Sequence, residues 1–344
     1  MKSPRSVGVG RVAGCVLGTA LGDAVGLPRE EMSRRRGRRV FGETVRQALV
    51  VVPGVRRLGM VSDDTEHTIL VLRALLVSDG DVRRFRRAMA WGLRWWVLRL
   101  PAGVGFGTLR ACVKLWLFVP PTRSGVGSAG NGPAMRAAVI GVLAEDGDEV
   151  TRLTEAATTL THTDPRALQG ALLVAHAARH ATLRTPDPLA AVLPLATDEG
   201  LRANLLAVRG GLAEGLPDEA MADRLGLSRG VSGFVNHTVP VALFCWLRHR
   251  GDYRAAVSAA VNLGGDTDTV AAITGALAGT DVGEAGLPAD WLAGLAGWPW
   301  TVGRLRRLAG GEVVRVNGAF VLLRNVVFLA VVFAHALRRL LPPY

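Results

Sequence analysis

Two short acidic segments contain the side chains with the clearest capacity for chemistry. One is SDDTEHT at 62–68 and the other is GGDTDT at 264–269, and each carries a pair of aspartates flanked by hydroxyl residues. A helix N-terminus needs a single side-chain oxygen as its cap, so capping accounts for one residue of each pair. Carboxylate and hydroxyl oxygens are also the ligands that Mg²⁺ takes in proteins. The spacing alone leaves two interpretations open, which are independent caps or a shared metal site.

The elements that would position these segments are helices. Apolar residues recur every three or four positions along most of the chain, for example at 68–77, 167–179 and 241–249. Strand-like patterns are limited to two short stretches, 47–54 and 311–318. An apolar run directly follows each acidic segment, which places both segments at helix starts. The pattern predicts an all-α fold with one main domain.

Composition narrows the class of protein. The 344-residue chain has a formal net charge of +12 and three cysteines. Its densest basic run, SRRRGRR at 33–39, lacks interleaved aromatic residues, so we interpret it as a solvated loop and expect no nucleic-acid partner. A basic field would still attract a small anionic substrate. The cysteines, Cys15, Cys112 and Cys245, lie far apart in apolar stretches and are predicted to be buried thiols without a disulfide.

Two apolar stretches are similar to membrane signals but are interpreted otherwise. The first 26 residues include Asp23 and five glycines from Gly8 to Gly22, which is atypical of a secretory signal, and we expect a cytoplasmic protein. Near the other end, the segment 325–337 is uncharged for only 13 residues. About 20 residues are needed to cross a bilayer. We therefore predict a core helix and no transmembrane span there, with attachment to a membrane surface as the alternative.

Four motifs occur in order along the chain. They are GDAVGLPRE at 22–30, SDDTEHT, SAGNGPAMR at 128–136 and NLGGDTDTVAAITGALAG at 262–279. Together they resemble the ADP-ribosylglycohydrolases, a family that includes the dinitrogenase reductase-activating glycohydrolases. The resemblance extends from about Gly14 to Gly279. It implies a single-domain orthogonal helical bundle over residues 1–310, followed by a C-terminal apolar helical extension at 311–344 packed on or near that domain.

The resemblance also implies an activity and a site. The expected protein is a hydrolase with two Mg²⁺ ions, or Mn²⁺, that cleaves the N- or O-glycosidic bond between ADP-ribose and a protein side chain or small molecule. Glu30 falls on the active-site glutamate of the family. The implied metal ligands are Ser62, Asp63, Asp64, Asp266, Asp268 and Thr269. The implied substrate-binding residues are Ser128, Gly130, Asn131, Gly132, Met135 and His162.

The segment 128–136 has features that suit the phosphates of ADP. Its glycines at 130 and 132 allow backbone amides to approach a ligand closely. Pro133 is favoured in the first turn of a helix, and a helix N-terminus attracts anions. Asp23, in the first motif, is interpreted as a brace for its turn and not as a ligand.

The sequence departs from the family pattern at one acidic position. Many members have an aspartate between the first metal motif and the glycine loop, whereas this chain has PAGVGFGT at 101–108 with Gly103 at that place. The main hypothesis is the metal-dependent hydrolase. The alternatives are a catalytically weak or inactive ADP-ribose-binding module of the same fold, and hydrolysis at the pyrophosphate. The modified side chain, the target and the oligomeric state stay open.

Overall fold

The computed structural model describes residues 8–52, 56–101 and 103–338. Helices dominate this part of the chain, which confirms the predicted all-α class. In chain order they are α1 (Val9–Gly26), α2 (Arg34–Phe41), α3 (Asp63–Ser78), α4 (Val82–Val97), α5 (Phe106–Trp116), α6 (Gly132–Met135), α7 (Ala138–Leu143), α8 (Gly147–Thr159), α9 (Pro165–Thr182), α10 (Pro188–Val192), α11 (Glu199–Ala213), α12 (Asp218–Arg224), α13 (Val235–Arg248), α14 (Tyr253–Asn262), α15 (Thr267–Val282), α16 (Ala289–Ala293), α17 (Val302–Ala309) and α18 (Gly318–Arg338). Single 3₁₀ turns lie at Leu27–Arg29, Leu193–Leu195 and Glu284–Gly286.

The strands are short and occur in two antiparallel pairs. β1 (Met32–Ser33) pairs with β4 (Gly264–Gly265), and β2 (Val50–Val52) pairs with β3 (Arg56–Leu58). The first pair joins the segment that follows α1 to the segment that precedes α15. It therefore ties together two parts of the chain that are more than two hundred residues apart in sequence.

Helices α1 and α15 pack antiparallel with their backbones in contact. The contact is made by glycines four residues apart in α1, which form one stripe along the helix. A Cβ on Gly14 would lie 2.1 Å from the carbonyl oxygen of Gly279, and a Cβ on Gly26 would lie 2.4 Å from that of Thr267. Because only glycine permits this approach, the stripe fixes both the distance and the register. The C-terminal end of α1 consequently lies beside the N-terminal end of α15.

Helix α15 is central to the hydrophobic core. Its residues from Thr267 to Thr280 are all buried, and it packs against α1, α9, α13 and α14. Two of its buried hydroxyls are satisfied within the helix, since Thr274 Oγ1 donates to the Val270 carbonyl at 2.8 Å and Thr280 Oγ1 to the Ala276 carbonyl at 2.7 Å. The acidic N-terminal end of α15 is therefore attached to the most rigidly enclosed element of the fold.

Several local predictions can be compared with the structure. The three cysteines are buried and free, as predicted. The stretch 47–54 does contain a strand, β2, but residues 312–317 form neither helix nor strand. The prediction of a loop for the basic segment 33–39 is wrong, because this segment folds into helix α2 with Ser33 as its N-cap. Arg35, Arg36 and Arg39 of α2 are exposed, so the prediction of solvated charge is confirmed.

The prediction of a core helix near the C-terminus is wrong. Helices α1 and α18 are both long and apolar enough to cross a membrane, but 83% of the α1 window is buried and only 22% of the α18 window is. The uncharged stretch 325–337 has only 13 residues, whereas the folded helix has 21 residues and begins before Arg324. Helix α18 packs on the domain through one narrow face that includes Val321 and Phe328.

We predict that Gly22→Ala destabilises the protein by about 1–3 kcal/mol, the usual cost of overpacking a close contact. A Cβ on Gly22 would lie 2.0 Å from the Ala271 carbonyl oxygen, so α1 and α15 would have to separate. The matched control is Gly10→Ala in the same helix, where a Cβ meets nothing within 4 Å. Urea unfolding measures both variants. Equal free energies of unfolding for the two would contradict the proposed backbone contact.

Candidate active site

The N-terminus of α3 is capped without the help of Asp63 or Asp64. Ser62 is the N-cap, and its hydroxyl accepts from the backbone N–H of Asp64 at 3.3 Å. Asp23 of α1 accepts from the backbone N–H of Ser62 at 2.9 Å and from that of Thr65 at 3.2 Å. Asp23 thus braces the start of α3 from a neighbouring helix. The interpretation of Asp63 and Asp64 as caps is not supported, because the cap positions are already filled.

The N-terminus of α15 has a similar arrangement. Asp266 is the N-cap residue, but its side chain makes no capping hydrogen bond to the helix. Its Oδ2 accepts instead from Asn131 Nδ2 at 2.6 Å. Thr267 Oγ1 donates to the Gly26 carbonyl at 2.8 Å, which holds the start of α15 against the end of α1. The second acidic pair is therefore also not employed in capping.

The two acidic segments meet in the folded chain. Thr269 Oγ1 donates to Asp64 Oδ2 at 3.3 Å, and Ser62 Oγ donates to the same oxygen at 3.2 Å. All of the predicted metal ligands are buried except Asp266, which is half-buried. The structure thus brings together Ser62, Asp63, Asp64, Asp266, Asp268 and Thr269 from positions about two hundred residues apart.

Negative charge accumulates at this junction. Burial raises the pKa of Asp63, Asp64 and Asp268 well above the usual aspartate value, and neighbouring carboxylates raise it further. Burial likewise raises the pKa of Asp23 to about 6, although hydrogen bonds from Thr65 and Ser62 favour its charged form. Carboxylates this close together are costly to ionise unless a positive charge offsets them.

The donor set fits a hard divalent cation. The Oδ1 atoms of Asp64 and Asp268 are buried and accept no hydrogen bond. Buried polar atoms are usually paired, so two orphaned carboxylate oxygens in one cluster call for a partner of another kind. Across residues 8–52, 56–101 and 103–338, no group of three or more carboxylate, imidazole or thiol side chains is arranged to hold a metal ion by itself. A cation bound at this cluster would also need the serine and threonine hydroxyls as ligands.

Glu30 lies beside the acidic cluster. The 3₁₀ turn Leu27–Arg29 carries the chain from α1 to Glu30, and the next residue, Glu31, donates its backbone N–H to the Gly265 carbonyl at 2.8 Å. Glu30 is half-buried. Its charge contributes to the raised pKa of Asp268, second only to burial. The pairing of β1 with β4 therefore positions Glu30 next to the start of α15.

Gly103 lies directly against the cluster. Its φ is +85°, in the region that favours glycine, and a Cβ on it would lie 2.8 Å from Asp63 Oδ1. The position at which the sequence lacks the expected acid thus borders a predicted metal ligand. Any side chain at 103 would press on Asp63.

The predicted nucleotide-binding residues lie around one histidine. A Cβ on Gly107 would be 3.1 Å from His162 Nε2 and 3.2 Å from Ser128 Oγ, and one on Gly132 would be 3.2 Å from His162 Cε1. His162 Nδ1 is hydrogen-bonded to Thr161 Oγ1 at 2.9 Å, which orients the ring. These glycines leave open the space that the serine and histidine face.

His162 is neutral at physiological pH. Burial, together with the positive charge of Arg136, lowers its pKa to about 3. Arg136 is fully buried, where its Nη2 donates to the Ala157 carbonyl at 3.0 Å. A neutral imidazole can donate or accept a hydrogen bond but adds no charge. Binding of phosphate by ion pairing with His162 is therefore disfavoured.

Asn131 connects the nucleotide side of the site to the acidic cluster. Its Nδ2 donates to Thr238 Oγ1 at 3.0 Å as well as to Asp266, and its backbone N–H donates to the Gly233 carbonyl at 3.0 Å. The segment 231–235, which contains Gly233, also contacts Asp266. The backbone N–H of Asp266 donates to the Val231 carbonyl at 2.7 Å. Sequence reasoning missed this segment. Its signal was GVSG, a small polar turn immediately before an apolar helix.

Two details of the predicted nucleotide loop differ from expectation. The helix that Pro133 opens, α6, is only 4 residues long, so its dipole is a weak source of attraction for an anion. Met135 lies in the hydrophobic core with 4% of its surface exposed. The assignment of Met135 to the wall of a substrate pocket stays a prediction.

Comparison with known proteins identifies the family. The family model described as ADP-ribosylglycohydrolase matches residues 6–319. The chain belongs to the ADP-ribosylglycohydrolase family. The match ends at the second residue of α18, so that helix lies almost entirely beyond the part shared with the family.

Individual proteins with similar sequences cover more than four fifths of the chain. An uncharacterised protein of Archaeoglobus fulgidus is 33% identical, with 82% of this chain and 90% of that protein covered. Mouse ADP-ribosylhydrolase ARH3 is 26% identical over 85% of this chain and 89% of its own length. ADP-ribosylarginine hydrolase Tri1 of Pseudomonas putida is 28% identical over 83% of this chain and 74% of its own.

A solved structure supports the fold of this family member. It is described as an ADP-ribosylglycohydrolase-related protein complex, and it superposes with a TM-score of 0.65 at 27% identity, covering 90% of this chain and 98% of that one. The helical architecture expected from the resemblance is therefore confirmed for this chain.

We predict that Gly103→Ala weakens Mn²⁺ binding at least about tenfold, in the range known for changes next to metal ligands. The added Cβ would displace Asp63 Oδ1 and would force a residue other than glycine into positive φ. The matched control is Gly105→Ala, where a Cβ meets nothing within 4 Å. Calorimetric titration with Mn²⁺ measures the affinity. Unchanged affinity in Gly103→Ala would show that Asp63 does not bind the metal.

Proposed function

We propose that this ADP-ribosylglycohydrolase family member is a divalent-metal-dependent hydrolase of the glycosidic bond that joins ADP-ribose to a side chain or small molecule. The observation that carries the proposal is the convergence of buried carboxylates from α3 and α15 with orphaned oxygens on Asp64 and Asp268. The substrate class is supported by two relatives whose names describe hydrolysis of ADP-ribosyl groups, ARH3 and Tri1.

The proposed cofactor is a pair of Mg²⁺ ions, with Mn²⁺ as an equivalent. Both cations accept sites made wholly of oxygen. Ser62, Asp63 and Asp64 would hold them from α3, and the ligands from the start of α15 would be Asp266, Asp268 and Thr269. When bound, such ions acidify water and offset negative charge. Asn131 supports this role by holding Asp266 Oδ2 at 2.6 Å, which fixes one of its oxygens.

Glu30 is the proposed general base. It is half-buried and close enough to Asp268 for its charge to affect that carboxyl. Glu30 takes a proton from a water molecule whose oxygen attacks the anomeric carbon, the glycosidic bond breaks, and the departing group takes up a proton. Cleavage of a glycosidic bond develops positive charge on the sugar. The surrounding carboxylates favour that charge.

The nucleotide part is proposed to lie over the glycine-lined space beside His162. Ser128 Oγ and the His162 ring face this space, and the absence of side chains at 107, 130 and 132 lets a ligand reach backbone amides. Because His162 is neutral, it recognises a hydroxyl or a base edge better than a phosphate charge. The net charge of +12 attracts the anionic substrate as a whole.

A second candidate function rests on Gly103. The carboxylate that many family members have at this place would lie against Asp63, and this chain has only a hydrogen atom there. A protein without that acid would bind ADP-ribose and turn it over slowly. The binding module is therefore the alternative that the experiment must separate from the hydrolase.

We predict that the protein releases free ADP-ribose from ADP-ribosylated arginine or serine peptides, that a chelator abolishes this release, and that added Mg²⁺ or Mn²⁺ restores it. Glu30→Gln should lower kcat roughly 100- to 10,000-fold, the range for loss of a general base. Binding of ADP-ribose should be retained in that variant. Product chromatography measures the release, and calorimetry measures the binding.

The matched control is Glu31→Gln, which removes the same charge from an adjacent, exposed residue and should leave kcat unchanged. Release that continues in the presence of chelator, or that drops equally in both variants, would refute the mechanism. Tight binding of ADP-ribose without any product would identify the binding module. AMP as the product would place the cut at the pyrophosphate.

A further inference from the structure

Helix α18 carries its polar side chains on the inside. Arg324 is buried and pairs with Glu66 of α3 through an Nη1 to Oε1 distance of 3.3 Å. Asn325 is also buried, and its Nδ2 donates to the Arg99 carbonyl at 2.9 Å. Towards the C-terminal end, the half-buried ring of His335 lies against the body of the domain. The contact between α18 and the domain therefore combines polar side chains with the apolar Val321 and Phe328.

The opposite face of α18 is entirely apolar. Every exposed side chain between residues 319 and 337 is alanine, valine, leucine or phenylalanine. Phe333 is 67% exposed and Val327 is 50% exposed. A surface helix normally has the reverse arrangement, with its apolar stripe against the core. A contiguous apolar face of this kind marks a site where another molecule binds.

The outward direction of this face is fixed by the domain. Turning the helix to bury its apolar side would remove Arg324 from Glu66 and from the Val61 carbonyl, to which Arg324 also donates. It would also expose Phe328, which is 1% exposed and packs against Leu27 and Leu49. The apolar face thus cannot turn towards the domain without breaking buried pairs.

A lipid bilayer fits this face better than a second copy of the chain. A helix of 21 residues is about 31 Å long and about 10 Å wide, so its outer face offers roughly 300 Å². A stable protein interface buries about 800 Å² on each partner and has polar groups at its rim. The exposed face of α18 has no polar side chain between 319 and 337. The acyl chains of a lipid require none.

Positive charge lies next to the C-terminal end of α18. The ring of Phe41, the last residue of α2, stacks on His335 with centroids 6.2 Å apart. Helix α2 exposes Arg35, Arg36 and Arg39, and in the sequence α18 is followed by a further arginine. Basic residues beside an apolar helix face complement anionic lipid headgroups. The net charge of +12 has the same sign.

We propose that α18 binds in the plane of an anionic membrane surface, with its apolar face among the lipids and its polar face on the domain. Binding in the plane preserves the ion pair between Arg324 and Glu66, whereas a spanning orientation would carry Arg324 into the hydrocarbon. The proposal is independent of the catalytic activity. It assigns to the region beyond the family match the role of a peripheral membrane anchor.

The test uses the purified full chain and flotation with vesicles. One set of vesicles is phosphatidylcholine alone, and the other is an equal mixture of phosphatidylcholine and phosphatidylglycerol. We expect binding to the mixed vesicles that weakens in high salt. Val327→Glu with Phe333→Glu should lower the partition coefficient at least about tenfold, because two apolar side chains are lost from the face that inserts among the lipids. Arg35→Gln with Arg39→Gln should reduce the preference for the anionic vesicles.

The matched control replaces two exposed leucines elsewhere, Leu183→Glu with Leu206→Glu, and should bind as the unaltered chain does. A milder pair, Val326→Ser with Val327→Ser, provides the same comparison without added charge. Circular dichroism verifies that each variant is folded. Failure of the unaltered chain to float with either vesicle would overturn the proposal. So would resistance to alkaline extraction, which indicates a spanning helix, or a lipid-free dimer that Val327→Glu with Phe333→Glu dissociates.

Discussion

The close contact between the backbones of α1 and α15 is the constraint on which the site depends. The glycine stripe allows one register, and in that register the end of α1 and the start of α15 lie side by side. Asp23, near the end of α1, then reaches the start of α3 and braces it by accepting from the backbone N–H groups of Ser62 and Thr65. Three distant segments thereby converge at one point. A shift of one helical turn between α1 and α15 would displace Glu30 by about 5 Å relative to Asp268.

The acidic cluster contrasts with a buried carboxylate only one turn away. Glu66 is as buried as Asp64, but it accepts from Trp96 Nε1 at 2.6 Å and pairs with Arg324. The chain thus provides a cation and a donor for a carboxylate that has a structural role. The Oδ1 atoms of Asp64 and Asp268 have no such partner among the described residues. This difference is the physical reason to expect a cation from outside the protein.

The sequence predicted those features that depend on local patterns. The acidic motifs do begin α3 and α15, and the first motif does end α1, because caps, glycines and apolar periodicity act over a few residues. The role of Asp23 as a brace could be anticipated in kind, but its partner, the start of α3, depends on tertiary packing. The hydrogen bonds of segment 231–235 to Asn131 and Asp266 follow from the same packing and had no strong local signal.

Helix α18 shows where reasoning from hydropathy fails. An apolar stretch such as 325–337 usually indicates a core helix, since burial of apolar surface is the main driving force of folding. Here Arg324, Asn325 and His335 form hydrogen bonds to the domain and so help to determine which face of the helix meets it. The apolar periodicity predicted the helix but not which of its faces packs on the domain. The direction depends on Glu66, which is more than two hundred residues away in sequence.

The central claim is that carboxylates from α3 and α15 hold divalent metal between them. The most direct measurement is anomalous X-ray scattering at the manganese edge from crystals of the protein grown with Mn²⁺. The account predicts anomalous peaks within about 2.5 Å of oxygens from both Asp64 and Asp268, the reach of metal–oxygen bonds in such sites. The peaks should be lost in Asp268→Asn. Crystals of the unaltered protein that show no peak there, or peaks bound by only one of the two segments, would contradict it.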